Sequence, residues 1–532
     1  MSQKNRISVI TLSDRSIEET ERNSTNERTQ NLKAANFEKA IAAAGYGKFQ
    51  YLLLLAIIPV SWATSMDTAS VAIILPSAEC DLKMTFTQKG ILNAIIYMGM
   101  ISSGFLWGYI ADVKGRRTVF IYGYIADGIC NVLSGFSQNF WTLAFFKFLS
   151  GFLISGPHAS MVTYVSEFYG VKGRVKIPLI IGFSTSFGNI VTSVLSWIII
   201  PQNWSIVLWD GAFVYNSWRI FLSICSLPLF IGVIGLYMFP ESPKFLMSED
   251  RMDDALKVFK IIYKINTGKP AEEYPIKHLE NDAFKKGSTD SDQDGKMDKK
   301  TIFLYPYFLQ LILVTLMQFG SMYITNTIRL WQPQLFAILE NFDPTNYNLT
   351  AKYAPTFCEI LDLSSVTNIS ATISENVTCT NITVKESVYT KTLIVSASGS
   401  ALLLLASYAL NFLNHKVLLH ICYGMAFVCI VCMYWSTSTL VTLILTSFFV
   451  GLSNTTLNTI VAATVILFPT SLRTIAVSTV MAIGRIGSMI GNILFPILLA
   501  QGCFVPIIQL ACLVLLCMIV TCFLPMNKKN KK

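Results

Sequence analysis

The stretch Gly108-Tyr-Ile-Ala-Asp112-Val-Lys-Gly115-Arg116-Arg117 decides the fold, because it places a short charged turn between two long apolar runs. Gly115 permits the chain to reverse its direction. Gly108 allows two helices to approach each other closely. Asp112, Arg116 and Arg117 form a charge cluster that can bridge to neighbouring helix ends. We therefore expect one membrane helix to end at this turn and the next to begin directly after it.

The composition is typical of a membrane protein and excludes several other classes. Apolar residue types make up 53% of the chain, and charged types make up 14%, against about 25% in ordinary soluble proteins. The mean hydropathy is +0.52. These values exclude a soluble enzyme, a disordered chain and a nucleic-acid-binding module. The net charge of +9 is also expected of a membrane protein that collects Lys and Arg in its cytoplasmic loops.

Twelve apolar runs are long enough to cross a bilayer as helices, six before a polar stretch at 241–303 and six after it. The pattern predicts an all-α membrane protein with two six-helix bundles at 49–240 and 304–526. We expect a cytoplasmic tail at 1–48, a cytoplasmic linker at 241–303 and a basic cytoplasmic tail at 527–532. The runs lie at about 51–76, 89–111, 118–137, 140–163, 177–200, 217–239, 304–337, 388–412, 417–436, 439–466, 474–499 and 504–525.

Basic residues in the short loops predict the orientation, because Lys and Arg stay on the cytoplasmic side. With the N-terminus inside, the basic loops after the second, fourth, eighth and tenth runs also lie inside. The loops at 137–141, 201–216, 436–440 and 500–505 contain neither Lys nor Arg. We predict that both termini are cytoplasmic and that the protein lies in the plasma membrane or in a vesicle membrane.

The long loop at 338–387 is predicted to face outward and to be glycosylated. It contains four N-glycosylation sequons, and N-glycans are added on the lumenal side. The same loop holds Cys358 and Cys379, and the oxidising side favours a disulfide between them. The sequons begin at Asn348, Asn368, Asn376 and Asn381.

Three motifs together resemble those of the major facilitator superfamily. The first is the turn at 108–117. The second is Y-V-S-E at 164–167, followed by G-R at 173–174. The third is P-E-S-P-K-F-L at 240–246, which is similar to the P-E-S-P-R of sugar and organic-ion facilitators. All three occur after even-numbered runs, which places them on the predicted cytoplasmic side.

This resemblance implies a cytoplasmic clasp of ion pairs between helix ends. The clasp is expected to form in the outward-open state and to break in the inward-open state. An alternative is a solvated basic loop of the kind that sets membrane orientation. The clasp residues are Gly108, Asp112, Arg116, Arg117, Glu167, Arg174 and Glu241.

Within the superfamily, the chain is similar to the synaptic vesicle glycoprotein 2 group over about 46–525. That group carries a long lumenal domain between the seventh and eighth spans, whereas the loop here is short. The equivalent turn in the second half also differs from the pattern of the superfamily, since Asn414-His415-Lys416 stands in place of an acid-Gly-Arg sequence. The resemblance rests on L-P-S-A-E-C-D-L at 75–82, K-G at 89–90, I-I-Y-M-G at 95–99, L-S-G at 149–151 and P-E-S-P-K-F at 240–245.

Charged residues inside a membrane are costly, so each is a functional candidate. The resemblance implies that the first, fourth, seventh and tenth spans line a central cavity, with the second, fifth, eighth and eleventh beside them. We expect Asp67 and Arg485 to face this cavity and to contact solute or a coupling proton, with a structural pair as the alternative. The glycines at 484–491 are expected to leave room for the cavity. Arg329 is also intramembrane, and Asp127 is expected to be structural.

The resemblance adds neutral candidates on the cavity-lining spans. Aromatic residues in membrane spans lie most often at the interface or against lipid. Lys147 and Arg219 lie near span ends and are expected to extend their charges to the membrane surface. The neutral candidates, which are selected because they lie on spans that line the cavity or stand beside it, are Tyr97, Trp197, Trp331 and Asn458.

The function implied by the resemblance is secondary or facilitative transport of a small polar or ionic organic solute by alternating access, with coupling to protons left open. The rival is a membrane glycoprotein that binds or traffics without transporting. We find no catalytic constellation and expect no enzyme activity, no cofactor and no metal. The acidic stretch at 290–301 lacks the final Glu of a calcium loop. The expected partners are the solute and the lipid bilayer, with no nucleic acid.

Overall fold

The computed structural model describes residues 34–280, 302–342, 355–364 and 384–525, apart from residues 175 and 411. These residues are almost entirely helical. The strands within the described ranges form two short pairs. Ala34–Ala35 pairs in parallel with His278–Leu279, and Ser205–Leu208 pairs antiparallel with Phe213–Asn216.

The helices form the twelve membrane spans that the apolar runs predict. Within the described residues, nine spans are both long enough and apolar enough to cross a membrane. The second, third and fifth are not among them, but they are 29, 20 and 23 residues long, and about 20 suffice to cross a bilayer. In order, the spans are Lys48–Ser61 with Ala63–Asp81, Phe86–Lys114, Arg116–Gly135, Phe140–Ser166, Ile177–Ile199, Ser217–Ile224 with Leu227–Tyr237, Tyr307–Asn341, Glu386–Ala409, His415–Tyr434, Thr439–Leu467, Thr470–Leu499 and Phe504–Cys522. The shorter helices are Phe37–Ala44, Val171–Arg174, Pro243–Ser248, Met252–Thr267 and 357–364, with single 3₁₀ turns at Trp209–Gly211 and Ala271–Glu273.

The turn between the second and third spans is one residue long. Gly115 has a φ of +87°, which L residues rarely adopt, and a Cβ there would lie 2.9 Å from Oε2 of Glu241. This confirms that Gly115 allows the reversal. The expectation for Gly108 is wrong, because a Cβ at that position would meet no atom within 4 Å. Gly108 therefore mediates no close helix packing in this arrangement.

The buried apolar side chains fall into two cores that match the two predicted bundles. One core is built from the first half of the chain and the other from residues 302–524. Leu330 and Tyr389 are the second-half residues that join the first core. Span pairs 2 and 11, 5 and 8, and 1 and 7 pack together across the boundary between the bundles.

Two faces of the membrane region carry different features. The first span ends at Asp81 and the seventh ends at Asn341 on one face. The loop with the predicted sequons leaves from there, so we call it the sequon face. The opposite face, which we call the linker face, carries Pro243–Ser248 and Met252–Thr267. The four sequon asparagines themselves lie outside the described residues.

The predicted pairing of Cys358 with Cys379 is wrong, because Cys358 forms a disulfide with Cys503. The helix at 357–364 packs onto the sequon face and brings the two Cα atoms to 5.2 Å, within the range for a disulfide. Asp362 secures this contact, since its Oδ1 accepts a hydrogen bond from the backbone N–H of Cys503 at 2.6 Å. Cys379 lies outside the described residues.

Candidate functional site

A cavity lies between the two bundles. The first, fifth, seventh, eighth and tenth spans supply its walls. Its polar lining includes Asn189, Arg329, Gln332, Ser396 and Asn454. No described residue that lines it is an aspartate or a glutamate. The cavity therefore has polar and apolar side chains in its lining and one fixed positive charge on its wall.

Hydrogen bonds across the bundle boundary surround this cavity at mid-depth. The hydroxyls of Ser193 and Ser396 lie 3.0 Å apart, and Ser400 donates to the backbone carbonyl of Ser186 at 3.4 Å. A third hydrogen bond between the bundles joins Arg485 to Ser155 at 3.1 Å. The bundles are thus joined at mid-depth and on the sequon side of it.

A second layer of contacts closes the sequon face. The hydroxyls of Ser77 and Tyr389 lie 2.7 Å apart. Glu79 accepts a hydrogen bond from Gln334 at 3.0 Å and pairs with the buried Lys89 at 2.5 Å. The contacts of Ser77 and Glu79 join the first span to the eighth and the seventh. The cavity is therefore shut from the sequon face.

Arg329 projects from the seventh span towards the fifth. Its Nη1 donates to Oδ1 of Asn189 at 3.1 Å, and its Nη2 donates to Oδ1 of Asn326 at 3.0 Å. Its buried Nε has no hydrogen-bond partner. The sequence singled out this charge but did not select it as a site residue. The signal was present, because Arg329 is a charge on a span expected to line the cavity.

The structure brings Arg485 and Tyr97 to the same region as Arg329, but neither lines the cavity, so the expectation that Arg485 faces it is wrong for this arrangement. Nη1 of Arg485 donates to the hydroxyl of Ser155 at 3.1 Å. Tyr97 is buried and lies beside both arginines. Spans 2, 7 and 11 therefore place two cations and a phenol near the bundle boundary.

The glycines around Arg485 serve packing, contrary to the expectation that they leave room for a cavity. A Cβ at Gly487 would lie 2.4 Å from the backbone oxygen of Phe319, and one at Gly491 would lie 2.3 Å from Oγ1 of Thr327. These glycines allow the eleventh span to lie directly against the seventh.

Asp67 does not face the cavity and does not meet Arg485. Ala69, Ala72 and Ile73 are the cavity-lining residues of the first span. A helix turns about 100° per residue, so Asp67 lies about 200° from Ala69 and points into the first bundle. The expectation that Asp67 contacts solute is therefore wrong for this arrangement.

Asp67 instead belongs to a buried cluster, which we call the carboxyl cluster, with Asp127, Asn131, Lys147 and Ser150. Nδ2 of Asn131 donates to Asp67 at 2.7 Å and to Asp127 at 3.1 Å. Lys147 donates to Oδ1 of Asn131 at 2.7 Å, and Ser150 donates to Asp127 at 2.7 Å. Lys147 is 1% exposed, so its expected extension to the membrane surface is wrong. The cluster holds two carboxyl groups and one ammonium.

Arg219 is also buried, which contradicts its expected position at the membrane surface. Its Nη1 pairs with Oδ2 of Asp81 at 3.1 Å, and its Nε donates to the carbonyl of Ser137. These partners compensate the charge of the buried guanidinium at the sequon face, where Asp81 itself is exposed.

Trp197, Trp331 and Asn458 do not line the cavity. Trp197 is partly exposed and donates from Nε1 to Glu386 at 2.7 Å, near the sequon face. Trp331 is buried and stacks on Phe86 with ring centroids 5.8 Å apart, as part of the closure. Asn458 is exposed and lies one helical turn from the cavity-lining Asn454.

On the linker face, part of the predicted clasp is assembled within the first bundle. Nε of Arg116 lies 3.4 Å from Oε1 of Glu167, and Ser242 donates to Oε2 of Glu167 at 2.5 Å. The backbone N–H of Arg117 donates to Glu241 at 3.1 Å. Burial raises the pKa of Glu167, and the Arg116 guanidinium opposes that rise.

Arg174, another member of the predicted clasp, has a different partner from the one expected. Arg174 pairs with Glu38 at 2.8 Å and not with Glu167, because Phe37–Ala44 packs against this face and presents Glu38 in its first turn. The side chain of Asp112 lies outside the described residues. Its expected role therefore stays a prediction.

The two helical bundles, the cavity between them and the paired charges at the helix ends define a member of the major facilitator superfamily. Residues 23–344 match the family described as "Sugar (and other) transporter", and the chain belongs to that family. This confirms the superfamily that the turn motif indicates.

The curated relatives and the solved structures agree with this assignment. The chain is 31% identical to human synaptic vesicle glycoprotein 2C over 250 residues, which are 46% of this chain and 34% of the relative. It is 30% identical to rat synaptic vesicle glycoprotein 2B, with 46% of this chain and 36% of that protein covered. The chain thus spans about a third of the length of these relatives.

Two solved structures share the fold. The partially occluded inward-open xylose transporter XylE from E. coli has a TM-score of 0.63 at 15% identity, with 90% of this chain and 100% of that chain covered. An inward-facing bacterial homologue of the human lysosomal transporter Spinster has a TM-score of 0.58 at 10% identity, with coverage of 90% and 97%. At these identities the similarity concerns the fold alone.

Proposed function

We propose that the protein transports a small polar or ionic organic solute across a membrane by alternating access. The observation that carries this proposal is the cavity between the bundles, which has polar side chains and Arg329 in its lining and is shut from the sequon face by contacts between the bundles. A cavity at the interface of two six-helix bundles is the geometry in which rocking of one bundle against the other exposes a site to each side in turn.

The closing contacts fit a gate that opens at low cost. The hydrogen bond between Ser77 and Tyr389 is worth about 1 kcal/mol net, and the one from Gln334 to the Glu79 carboxylate about 1.5–3 kcal/mol. Lys89 keeps its pairing with Glu79 when the bundles separate, since both residues belong to the first bundle. Opening therefore leaves no buried charge unpaired at this level.

We assign the sequon face to the extracellular or lumenal side and both termini to the cytoplasm. The predicted sequons and the uneven distribution of Lys and Arg support this orientation. In this orientation the arrangement is inward-facing. The cytoplasmic contacts of Arg116 and Arg117 are nevertheless formed, within the first bundle, contrary to the expectation that the clasp breaks in the inward-open state. The membrane is the plasma membrane or that of a vesicle.

The carboxyl cluster is our candidate for a proton-coupling site. Asp67 and Asp127 face one buried ammonium, Lys147, so electroneutrality requires one proton on the two carboxyl groups. The first span carries both Asp67 and the cavity wall at Ala69 and Ala72. Gain or loss of this proton can thus alter the position of a span that contacts solute.

Transport by the purified full chain in proteoliposomes tests the proposal. Sugars, amines, carboxylates and nucleosides are supplied outside, and saturable uptake with counterflow of preloaded solute is expected for at least one class. Binding without exchange would contradict transport and support the rival, a glycoprotein that binds or traffics. The altered turn at 414–416 is the observation that favours that rival.

A further inference from the structure

The cavity wall holds a cation whose charge is not neutralised by any carboxylate. Both terminal nitrogens of Arg329 donate to side-chain amide oxygens, those of Asn189 and Asn326. Asn326 is itself held by a hydrogen bond to Ser488 at 2.7 Å. The amides orient the guanidinium but carry no charge, and its buried Nε has no partner.

The surroundings of Arg329 add positive charge. Arg485 also lies near Tyr97 and donates to the hydroxyl of Ser155. The nearest intramembrane acids, Asp67 and Asp127, point into the first bundle, where Lys147, Asn131 and Ser150 hold them. Among the described residues, the region around the cavity therefore has two guanidinium groups and no acid facing them.

We propose that this cavity takes a small organic anion and that Arg329 binds its carboxylate. The inference rests on the proposed transport function and names the substrate class. A charge inside the membrane that lacks a counter-charge is costly, and an anion supplies that counter-charge. A planar guanidinium binds a carboxylate through two parallel hydrogen bonds, which Nε and one terminal nitrogen of Arg329 can provide.

The remaining lining matches the other end of such an anion. Hydroxyls from the fifth and eighth spans face the cavity and can bond hydroxyl or oxo groups of a solute. Apolar residues of the first and eighth spans also line the cavity and can contact the carbon atoms of a solute. The hydroxyl residues are Ser186, Ser193, Thr392, Ser396 and Ser400, and the apolar residues are Ala69, Ala72 and Val395.

The experiment measures uptake and binding by the purified full chain with lactate, pyruvate and succinate as anions, xylose as a neutral solute and choline as a cation. We expect saturable uptake and binding of at least one of the anions, and neither for xylose or choline. Arg329→Gln should weaken anion binding by about tenfold or more, the loss expected for a charge-assisted pair. Arg329→Lys keeps the positive charge but loses the planar guanidinium. Its affinity for the anion should lie between those of wild type and Arg329→Gln.

The matched control is Arg251→Gln, which removes an exposed arginine of the linker face and should leave uptake unchanged. Thermal unfolding and gel filtration of each variant separate loss of binding from loss of folding. Uptake of xylose or choline without the anions would overturn the anion proposal and leave transport standing. Equal anion binding by wild type and Arg329→Gln would also overturn it.

The two proposals fail in different ways. If no probe crosses the membrane but an anion binds in an Arg329-dependent manner, the substrate class stands and the transport function fails. If no anion binds and none is taken up, the anion proposal fails whatever the other probes do.

Discussion

The first bundle buries charged side chains, whereas the second bundle buries neutral ones. Within the described residues, every charged side chain that is fully buried belongs to the first half. In the second half, the corresponding interior holds hydroxyls, with Ser321 bonded to Tyr423 at 2.5 Å and to Thr456 at 3.4 Å. The buried charged residues are Asp67, Lys89, Asp127, Lys147, Glu167 and Arg219.

This difference suggests a division of roles between the bundles. A buried charged cluster can gain or lose a proton, which a hydroxyl network cannot do near neutral pH. The second bundle places its charge at the boundary instead, since Arg329 and Arg485 both come from it and face the first bundle. In our proposal the first bundle therefore holds the proton and the second bundle supplies the cation for the solute.

The largest expected effect tests the charge balance of the first bundle. Lys147→Met removes the ammonium and leaves two carboxyl groups in a buried site, so we expect a loss of about 3–5 kcal/mol in stability. The midpoint of thermal unfolding in detergent measures it. Lys257→Met is the control, because that side chain is 73% exposed and its removal should leave the midpoint unchanged. Equal midpoints for Lys147→Met and wild type would show that the cluster is not charged.

The next prediction separates the cluster from the cavity arginine. Asp67→Asn should restore part of the stability lost in Lys147→Met, by about 1–3 kcal/mol, because both residues belong to one network. The stability changes caused by Asp67→Asn and Arg485→Gln should be additive to within about 0.5 kcal/mol, since the two residues share no partner. Proton-driven accumulation should be lost in Asp67→Asn while solute counterflow remains. A strong coupling between Asp67 and Arg485 would instead support direct pairing in another conformation.

The sequence was sufficient for the fold but not for the direction of individual side chains. Apolar length and loop charge predict the twelve spans and two bundles, because both follow from the hydrophobic thickness of a bilayer. Asp67 was assigned to the cavity from its span alone. The angular position of Asp67 around the helix, compared with Ala69 and Ala72, shows that it points away from the cavity. The sequence alone could not show this, because it does not say which side of the span faces the cavity.

Two other differences have the same origin. Cys358 was paired with its neighbour in the loop, whereas a short helix carries it to Cys503, which is 145 residues away in the chain. Such long-range pairing depends on how a loop packs on the bundle, which no local pattern contains. The sequence shows that Arg329 is a charge inside a span. Only the structure shows that its partners are neutral amides, which leave the charge uncompensated.

A smaller effect is expected from the neutral interior of the second bundle. Tyr423→Phe removes one hydroxyl and leaves Ser321 bonded to Thr456, so we expect a loss of about 1 kcal/mol. Thermal unfolding measures it alongside the Lys147→Met variant. Since no charge is involved, the loss should be the same at every pH where the protein folds. A loss as large as that in Lys147→Met would remove the energetic difference between the bundles.

The last prediction concerns Glu167, the buried charge of the first bundle that lies just beyond the fourth span. Burial raises its pKa in the folded state above the ordinary value of 4.5, so the folded protein retains the proton to higher pH than the unfolded chain. This contribution to stability is complete below the ordinary value and is lost as the pH rises through the folded pKa. Glu167→Gln cannot titrate and can still accept the hydrogen bond from Ser242. The stability of wild type relative to Glu167→Gln should therefore fall as the pH rises from below 4.5 towards neutrality, as unfolding midpoints across that range will show. Glu249→Gln, an exposed glutamate on the same face, should follow the wild-type pH dependence. Parallel curves for wild type and Glu167→Gln would mean that the Arg116 pair fully compensates the burial, and the charge at this end of the first bundle would then be fixed.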